Sequence, residues 1–332
     1  MTKKRKLTVQ DKKLLNLVQS DFPLVEQPFK TLGQRLGISE EQALQQVRNL
    51  KEERIIRHIG AIFDSRRLGY LSVLMAMQIA PEQLDTQARA ISRNSWVSHS
   101  YAREHQYNLW LTLSLHPDQD LAEVTESLNA NQGVEGMIIL PALRMFKIDA
   151  RFDMIGDDIE PMMENQGVER IAEIKAEQLS GLEIAIVQEL QRDLSLTERP
   201  FAPISERLKI DVAELLRIAR DFLMNGTMRR YGAVLNHRQA GFTANALGCW
   251  IVPPPRIEEV GKSMASFLEV THCYERQTYT DWPYNLFTMI HGRTREECET
   301  IAGEMSSRMG IVDYILLYST REYKKERVQY FA

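Results

Sequence analysis

An α+β fold written twice is what this 332-residue sequence predicts, each half a winged helix-turn-helix followed by a ferredoxin-like βαββαβ sandwich. Two blocks recur in the same order, roughly 172 to 177 residues apart. Arg57-His58-Ile59-Gly60-Ala61-Ile62-Phe63-Asp64-Ser65-Arg66 returns as Arg229-Arg230-Tyr231-Gly232-Ala233-Val234-Leu235-Asn236-His237-Arg238. His99-Ser100-Tyr101-Ala102-Arg103, followed by Tyr107-Asn108-Leu109, returns as His272-Cys273-Tyr274-Glu275-Arg276, followed by Tyr284-Asn285-Leu286. The second observation is a switch from helical to strand periodicity at the same point in each half. The third is composition: 44% hydrophobic and 26% charged residues supply ample core for two units.

Three short helices open each half. In the first, the apolar positions are Leu14, Leu15, Leu17 and Val18, then Phe29, Leu32 and Leu36, then Ala43, Val47 and Leu50. Gly37-Ile38-Ser39 breaks the second helix from the third, and Ser39 with Gln42 forms a capping-box pattern. Ile55 to Ile59 then begins a wing. The second half repeats this with helices at 182–190, 201–208 and 212–224 and a strand from Met228 to Tyr231.

Strand-like and amphipathic runs follow. They lie at 71–79, 82–94, 97–103, 109–115, 118–129 and 136–140 in the first half, and at 244–252, 257–267, 270–276, 284–290, 295–308 and 311–318 in the second. The expected division is a winged helix-turn-helix at 1–60, a sandwich at 61–155, an acidic linker at 156–178, a second winged helix-turn-helix at 179–231 and a second sandwich at 232–332. A fused pair of this kind supplies an internal pseudo-dimer, and a further homodimer is left open.

Composition excludes several functions. Three cysteines without C-x-x-C spacing support neither a disulfide framework nor a zinc or iron–sulfur site. No apolar run approaches the roughly 20 residues of a membrane helix, and the basic start lacks an apolar h-region, so the cytoplasm is expected. The net charge of -4 gives no general affinity for nucleic acid. The third helices open with Ser39-Glu40-Glu41-Gln42 and Asp211-Val212-Ala213-Glu214, and carboxylates at a reading edge repel phosphates. They also complement the helix dipole. DNA binding is therefore disfavoured.

The repeated polar residues point to chemistry. His-x-Tyr-x-Arg on a strand places all three side chains on one face. His99, Tyr101 and Arg103 form one such face, and His272, Tyr274 and Arg276 the other. Guanidinium binds carboxylate, phenol donates and stacks, and imidazole carries a proton or ligates iron. The alternative is a polar strand in solvent, but two copies favour the ligand. Arg144 and Lys147 are matched by Arg321 and Lys324 late in each sandwich. His237 has no histidine partner in the first copy, where Ser65 stands, so the second half is the expected main active site. His58 reads as a surface contact, and His291, before Gly292, as a turn residue. Trp282-Pro283-Tyr284-Asn285 either covers an apolar macrocycle or closes a core.

The architecture resembles Lrp/AsnC-type regulators over each half. The residues Gly232 to Phe242, Thr271-His272-Cys273-Tyr274-Glu275-Arg276 and Asp281-Trp282-Pro283-Tyr284-Asn285-Leu286-Phe287 resemble the siroheme decarboxylases, across the whole chain and as a fusion of their two related subunits. That resemblance implies removal of the acetate carboxyl groups at carbons 12 and 18 of siroheme, giving 12,18-didecarboxysiroheme on a route to heme or heme d1. It implies no cofactor beyond the iron-containing substrate, because the ring is the electron sink. His237 and His272 are the expected acid and its partner, with His272 also a candidate iron ligand, and no metal is bound by protein groups alone. Arg229, Arg238, Tyr274, Arg276, Tyr284, Asn285 and Arg321, with His99, Tyr101 and Arg103, are the expected substrate contacts. Two other readings stand beside this one: a DNA-binding regulator responding to heme or a small ligand, and a tetrapyrrole carrier without chemistry.

Overall fold

The computed structural model describes residues 7–131, 133–148, 152–153, 160–161, 168–235 and 244–332. The first half runs α1 (Val9–Ser20), α2 (Pro28–Leu36), α3 (Glu40–Glu52), β1 (Ile56–Phe63), β2 (Leu71–Ile79), α4 (Leu84–Ser92), β3 (Val97–Arg103), β4 (Leu109–Leu115), α5 (Leu121–Asn129), β5 (Val134–Leu140) and β6 (Ala142–Ile148). Three short strands follow: β7 (Phe152–Asp153), β8 (Glu160–Pro161) and β9 (Glu169–Arg170). The second half is α6 (Gly181–Leu190), α7 (Ala202–Leu208), α8 (Val212–Met224), β10 (Met228–Leu235), β11 (Ala244–Trp250), α9 (Ile257–Ala265), β12 (Val270–Arg276), β13 (Leu286–Gly292), α10 (Arg295–Met309) and β14 (Tyr314–Lys325). The predicted α+β tandem repeat is the fold observed.

Local signals set the helix ends. Ser39 and Gln42 form the reciprocal capping box that their spacing predicts, and Gly37 ends α2 in the left-handed region at φ 70°. Thr8 with Asp11 and Ser180 with Glu183 cap α1 and α6 in the same way.

Among the described residues, the wing strands do not form hairpins within their own modules. Instead β1 pairs antiparallel with β10 of the other half, with Gly60 opposite Gly232. One hydrophobic core then runs through both helical modules, from Leu14, Phe29 and Leu50 to Ile186, Phe201 and Phe222. The repeated glycines make this packing fit. A Cβ on Gly60 would lie 2.7 Å from the Arg192 carbonyl oxygen, and one on Gly232 would lie 2.5 Å from that of Val18. The expected boundaries at 60/61 and 231/232 fall inside these two strands. The expected linker is described at 160–161 and 168–178, and its later part contributes β9, which pairs with β6.

The sandwiches also exchange strands. The sheet order is β5-β2-β4-β3-β14-β11-β13-β12-β6-β9. Residues Tyr314–Tyr318 of β14 pair with β11 of their own half, and Ser319–Lys325 continue onto β3 of the other. The first half makes the same crossing in two pieces, β5 on β2 and β6 on β12, divided at Pro141, which has no N–H to continue a ladder. Helices cover one face of each sandwich. The other faces meet in a cluster drawn from both halves, including Trp110, Leu140, Cys249, Trp282, Phe287 and Leu317.

Candidate functional site

The repeated His-x-Tyr-x-Arg strands are β3 and β12, and both present the three side chains to the space between the sheets. In β3 the rings of His99 and Tyr101 stack at 6.3 Å, and the Arg103 guanidinium lies over Tyr101 at 5.8 Å and Trp110 at 5.9 Å. In β12 His272 and Tyr274 stack at 6.4 Å, with Arg276 over Tyr274 at 5.0 Å and Phe287 at 5.6 Å. Each arginine reaches across the halves. Arg103 Nη1 donates to the Leu317 carbonyl and Arg276 Nη1 to that of Leu140, both at 2.6 Å. Burial pushes both guanidinium pKa values down to about 10, and in each the Nε is buried with no hydrogen-bond partner. The arginines thus clasp the two sheets and leave one donor each unsatisfied.

The β1–β10 ribbon brings a cation to each strand, Arg57 to His99 and Arg229 to Tyr274, and the two copies differ there. Beside β12, Arg229 donates to Asp64 Oδ2 at 2.8 Å and lies 3.9 Å from the sulfur of Met145, the residue opposite Tyr274. Arg66 holds the same carboxylate through Nε at 2.8 Å and Nη2 at 2.6 Å, and also pairs with Glu169. Burial alone would raise the Asp64 pKa, but Arg66 and Arg229 outweigh it and hold the carboxyl below its usual range. His272 is oriented through Nδ1, 2.9 Å from Thr271 Oγ1, and the same hydroxyl lies 2.8 Å from His291 Nε2. His291 is therefore the last-but-one residue of β13 and part of a His–Thr–His chain, a role its place before Gly292 did not signal. The first half has Ser98 against His99 Nδ1 at 3.1 Å and Ser114 where His291 stands.

Beside β3 the ribbon supplies Arg57, whose Nη2 donates to the Lys325 carbonyl at 3.1 Å; Lys325 pairs with His99. Arg327 follows, with Nη2 directed at the Ala61 carbonyl. Burial, then Lys325 and Arg57, lower the His99 pKa to about 4, so this imidazole is neutral near pH 7. Sequence reasoning passed over Lys325 and Arg327, which lie beyond the strand end it expected at 318. The repeat at Arg57 and Arg229 was the only signal for this ribbon edge.

Some expected contacts are placed elsewhere. Asn285 points away from the site: its Oδ1 accepts from Val252 N at 2.9 Å and its Nδ2 donates to Val252 O at 2.7 Å, so the side chain is spent on backbone. Tyr284 packs on Trp282 at 4.9 Å within the inter-sheet core, and Trp282 is 1% exposed, so this loop closes a core. Arg321 pairs with Asp85 of α4 on the helix side, because its Cα partner is Ala102 rather than Tyr101 or Arg103. Lys324 likewise donates to the Asn94 carbonyl and Lys147 to that of Phe267, while Arg144 pairs with Glu275. His58 is half-buried within β1, not a surface contact, with Nδ1 3.8 Å from Asp193. His237 and Arg238 lie outside the described residues. The strand that leads to them ends at Leu235, opposite Ile56 and so beside Arg57.

Comparison with known proteins gives the same architecture. Residues 11–57 and 183–229 match the siroheme decarboxylase NirDL-like HTH domain, and residues 67–147 and 239–324 match the AsnC-like ligand binding domain. The siroheme decarboxylase of Hydrogenobacter thermophilus is 39% identical over 96% of this chain and 94% of its own. The chain belongs to the siroheme decarboxylase family. Within that family the siroheme decarboxylase beta subunit of Methanosarcina barkeri is 44% identical over 147 residues, 44% of this chain and 97% of its own. One subunit there corresponds to about half of the chain here. The crystal structure of the siroheme decarboxylase NirDL in complex with an iron-uroporphyrin III analogue superposes with a TM-score of 0.78 at 34% identity, covering 97% of this chain and 95% of that one. Among the described residues, no helix is long and apolar enough to cross a membrane.

Proposed function

We infer that this chain is a siroheme decarboxylase, a carboxy-lyase acting on the acetate groups at carbons 12 and 18 of siroheme. The observation that carries this reading is end-to-end similarity to a fused siroheme decarboxylase, joined to two inner-face His-Tyr-Arg strands beneath ribbon cations. Each acetate loses carbon dioxide as its C–C bond breaks, and the electron pair enters the conjugated ring. One proton then reaches the former CH2 carbon and makes it a methyl. The protein's part is to hold the remaining carboxylates with guanidinium groups and to place an acid at that carbon. His237 and His272 are assigned as acid and partner. His99, kept neutral, is fit to ligate iron or accept a hydrogen bond and not to donate a proton as imidazolium. The site needs no cofactor beyond the iron-containing substrate, and the enzyme works in the cytoplasm.

The reading helices support an enzyme over a regulator. Arg48 of α3 donates to the Leu196 carbonyl at 2.8 Å and Arg220 of α8 to that of Leu24 at 3.0 Å, each tied to the opposite module. Cations that would meet phosphates are instead used inside the pseudo-dimer.

Anaerobic incubation of the chain with siroheme, followed by mass analysis, tests the assignment. Loss of two carbon dioxide units is expected, and His237→Ala or His272→Ala should bind substrate yet lose turnover. Unchanged siroheme with the wild-type chain would refute the enzyme reading.

A further inference from the structure

We propose that Thr271 and His291 are positioning residues that hold a proton behind His272 and return it through His272 Nε2 as each acetate of siroheme loses carbon dioxide. The proposal rests on the functional reading above and deepens it by naming what supplies the donor.

The geometry starts from one hydroxyl between two rings. Thr271 Oγ1 lies 2.9 Å from His272 Nδ1 and 2.8 Å from His291 Nε2, and Thr271 is 1% exposed. A hydroxyl has a single proton, so it donates to one ring and accepts from the other. The β12–β13 register shifts between Val270 and His272, which makes Thr271 the extra residue of a bulge. Bulges re-aim side chains in this way. His291 is half-buried at the end of β13, and its N–H is fixed to the Glu269 carbonyl at 2.9 Å.

The first half has the same backbone and a different line of groups. The β3–β4 register shifts at the matching place, between Val97 and His99, and the Ser114 N–H meets the Trp96 carbonyl at 2.7 Å as that of His291 meets Glu269. There, however, Ser98 Oγ donates to the Thr112 carbonyl at 3.1 Å. With its proton spent, its 3.1 Å contact with His99 Nδ1 makes that nitrogen the donor. His99 therefore keeps a bare Nε2, which accepts or ligates and has no proton to give. Ser114 Oγ, in the place of His291, is buried without a hydrogen-bond partner. The line ends at a carbonyl in one copy and at a second imidazole in the other.

That difference permits a balanced transfer. With His291 as imidazolium, its Nε2–H donates to Thr271 Oγ1, the hydroxyl donates to His272 Nδ1, and His272 carries its ring proton at Nε2. As the bond to the carboxyl group breaks and its electron pair enters the macrocycle, the Nε2 proton passes to the former CH2 carbon. The hydroxyl proton moves to His272 Nδ1, and the His291 proton moves to Thr271 Oγ1. His272 is a neutral imidazole before and after, and His291 ends neutral. One proton from water, taken up at His272 Nε2, then runs these transfers in reverse and readies the line for the second acetate. The positive charge is carried on His291 and not on the ring that meets the substrate.

Single-turnover conversion of siroheme by the full chain, under anaerobic conditions and in mixtures of ordinary and heavy water, tests the assignment. The wild-type rate should fall along a bowed curve as the deuterium fraction rises, because several protons move together. Thr271→Val should bind siroheme with the wild-type Kd, convert it about a hundredfold more slowly and give a straight line. Thr271→Ser, which keeps the hydroxyl, should rescue both the rate and the curve. His291→Gln, which can bond to Thr271 but passes on no proton, should behave as Thr271→Val does, and it carries the test if circular dichroism shows Thr271→Val unfolded. A straight line in the wild type, or wild-type rates in the folded variants, would overturn the proposal while leaving the decarboxylase reading intact. A wild-type chain that does not convert siroheme would remove both.

Discussion

Asn285 closes both backbone groups of Val252, accepting from its N–H at 2.9 Å and donating to its carbonyl at 2.7 Å. Asn108 does the same for Ile79, at 3.0 and 2.7 Å. The repeated asparagine is thus a tie between strand ends, and the amide is the one side chain that can offer an acceptor and a donor side by side. Asn285→Ala should lower stability by about 1–3 kcal/mol. Urea unfolding measures this, and KM for siroheme should follow wild type in the folded enzyme. A raised KM with unchanged stability would return Asn285 to the substrate.

Gly60 and Gly232 face each other across the ribbon, and each admits the carbonyl end of a helix from the opposite module. Gly232→Ala sets a methyl 2.5 Å from the Val18 carbonyl oxygen, a backbone atom that cannot rotate away. A loss of roughly 1–3 kcal/mol is expected from such overpacking. Thermal melting of Gly60→Ala and Gly232→Ala checks it, and the two should fall together, because they strain the same ribbon.

Stability should decline on mild acidification. His99 and His58 both have folded pKa values lowered to about 4, in each case chiefly by burial and then by neighbouring cations. A lowered histidine leaves stability untouched above the unfolded value near 6.5. Below it the unfolded chain takes up the proton first, and stability falls until the folded pKa is passed. For His99 the loss should reach roughly 2 kcal/mol by pH 5. Urea midpoints between pH 7.5 and 5 measure the slope, which His99→Gln should reduce. Asp64, with a lowered carboxyl pKa, loses its contribution only at more acid pH, so this window isolates the histidines.

Arg48 and Arg220 are the most direct check on the helix-turn-helix modules. Each donates to a carbonyl of the other module, so Arg48→Ala should lower the melting temperature by about 1–2 °C, from a loss of about 1 kcal/mol per bond in a chain of this size. Wild-type protein should show no salt-dependent, sequence-specific DNA binding in a gel-shift titration. Specific binding at physiological salt, lost in Arg48→Ala, would restore the regulator.

Much of the fold was legible because its signals are local. Capping at Ser39, the break at Gly37 and the alternation in β2, β3 and β4 are all set within a few neighbouring residues. The strand ends that were missed, β6 and the last residues of β14, are those that cross to the other half. Their periodicity resembles that of any exposed edge until the partner strand is present. The candidate site shows the same division. His99 and His272 announced themselves by recurrence, but Asn285, Tyr284 and Arg321 recur for packing reasons, and recurrence cannot separate a bound ligand from a bound backbone.

By itself the sequence determined the duplication, the α+β class, the order of the helices and of most strands, and the family, all of which follow from spacing and motif. Only the tertiary structure decided which copies meet. It paired β1 with β10, carried β14 onto β3, set Arg229 against Asp64 and left Arg57 beside Lys325. Those relationships join residues from opposite halves, where the balance of charge depends on distances that no linear spacing contains.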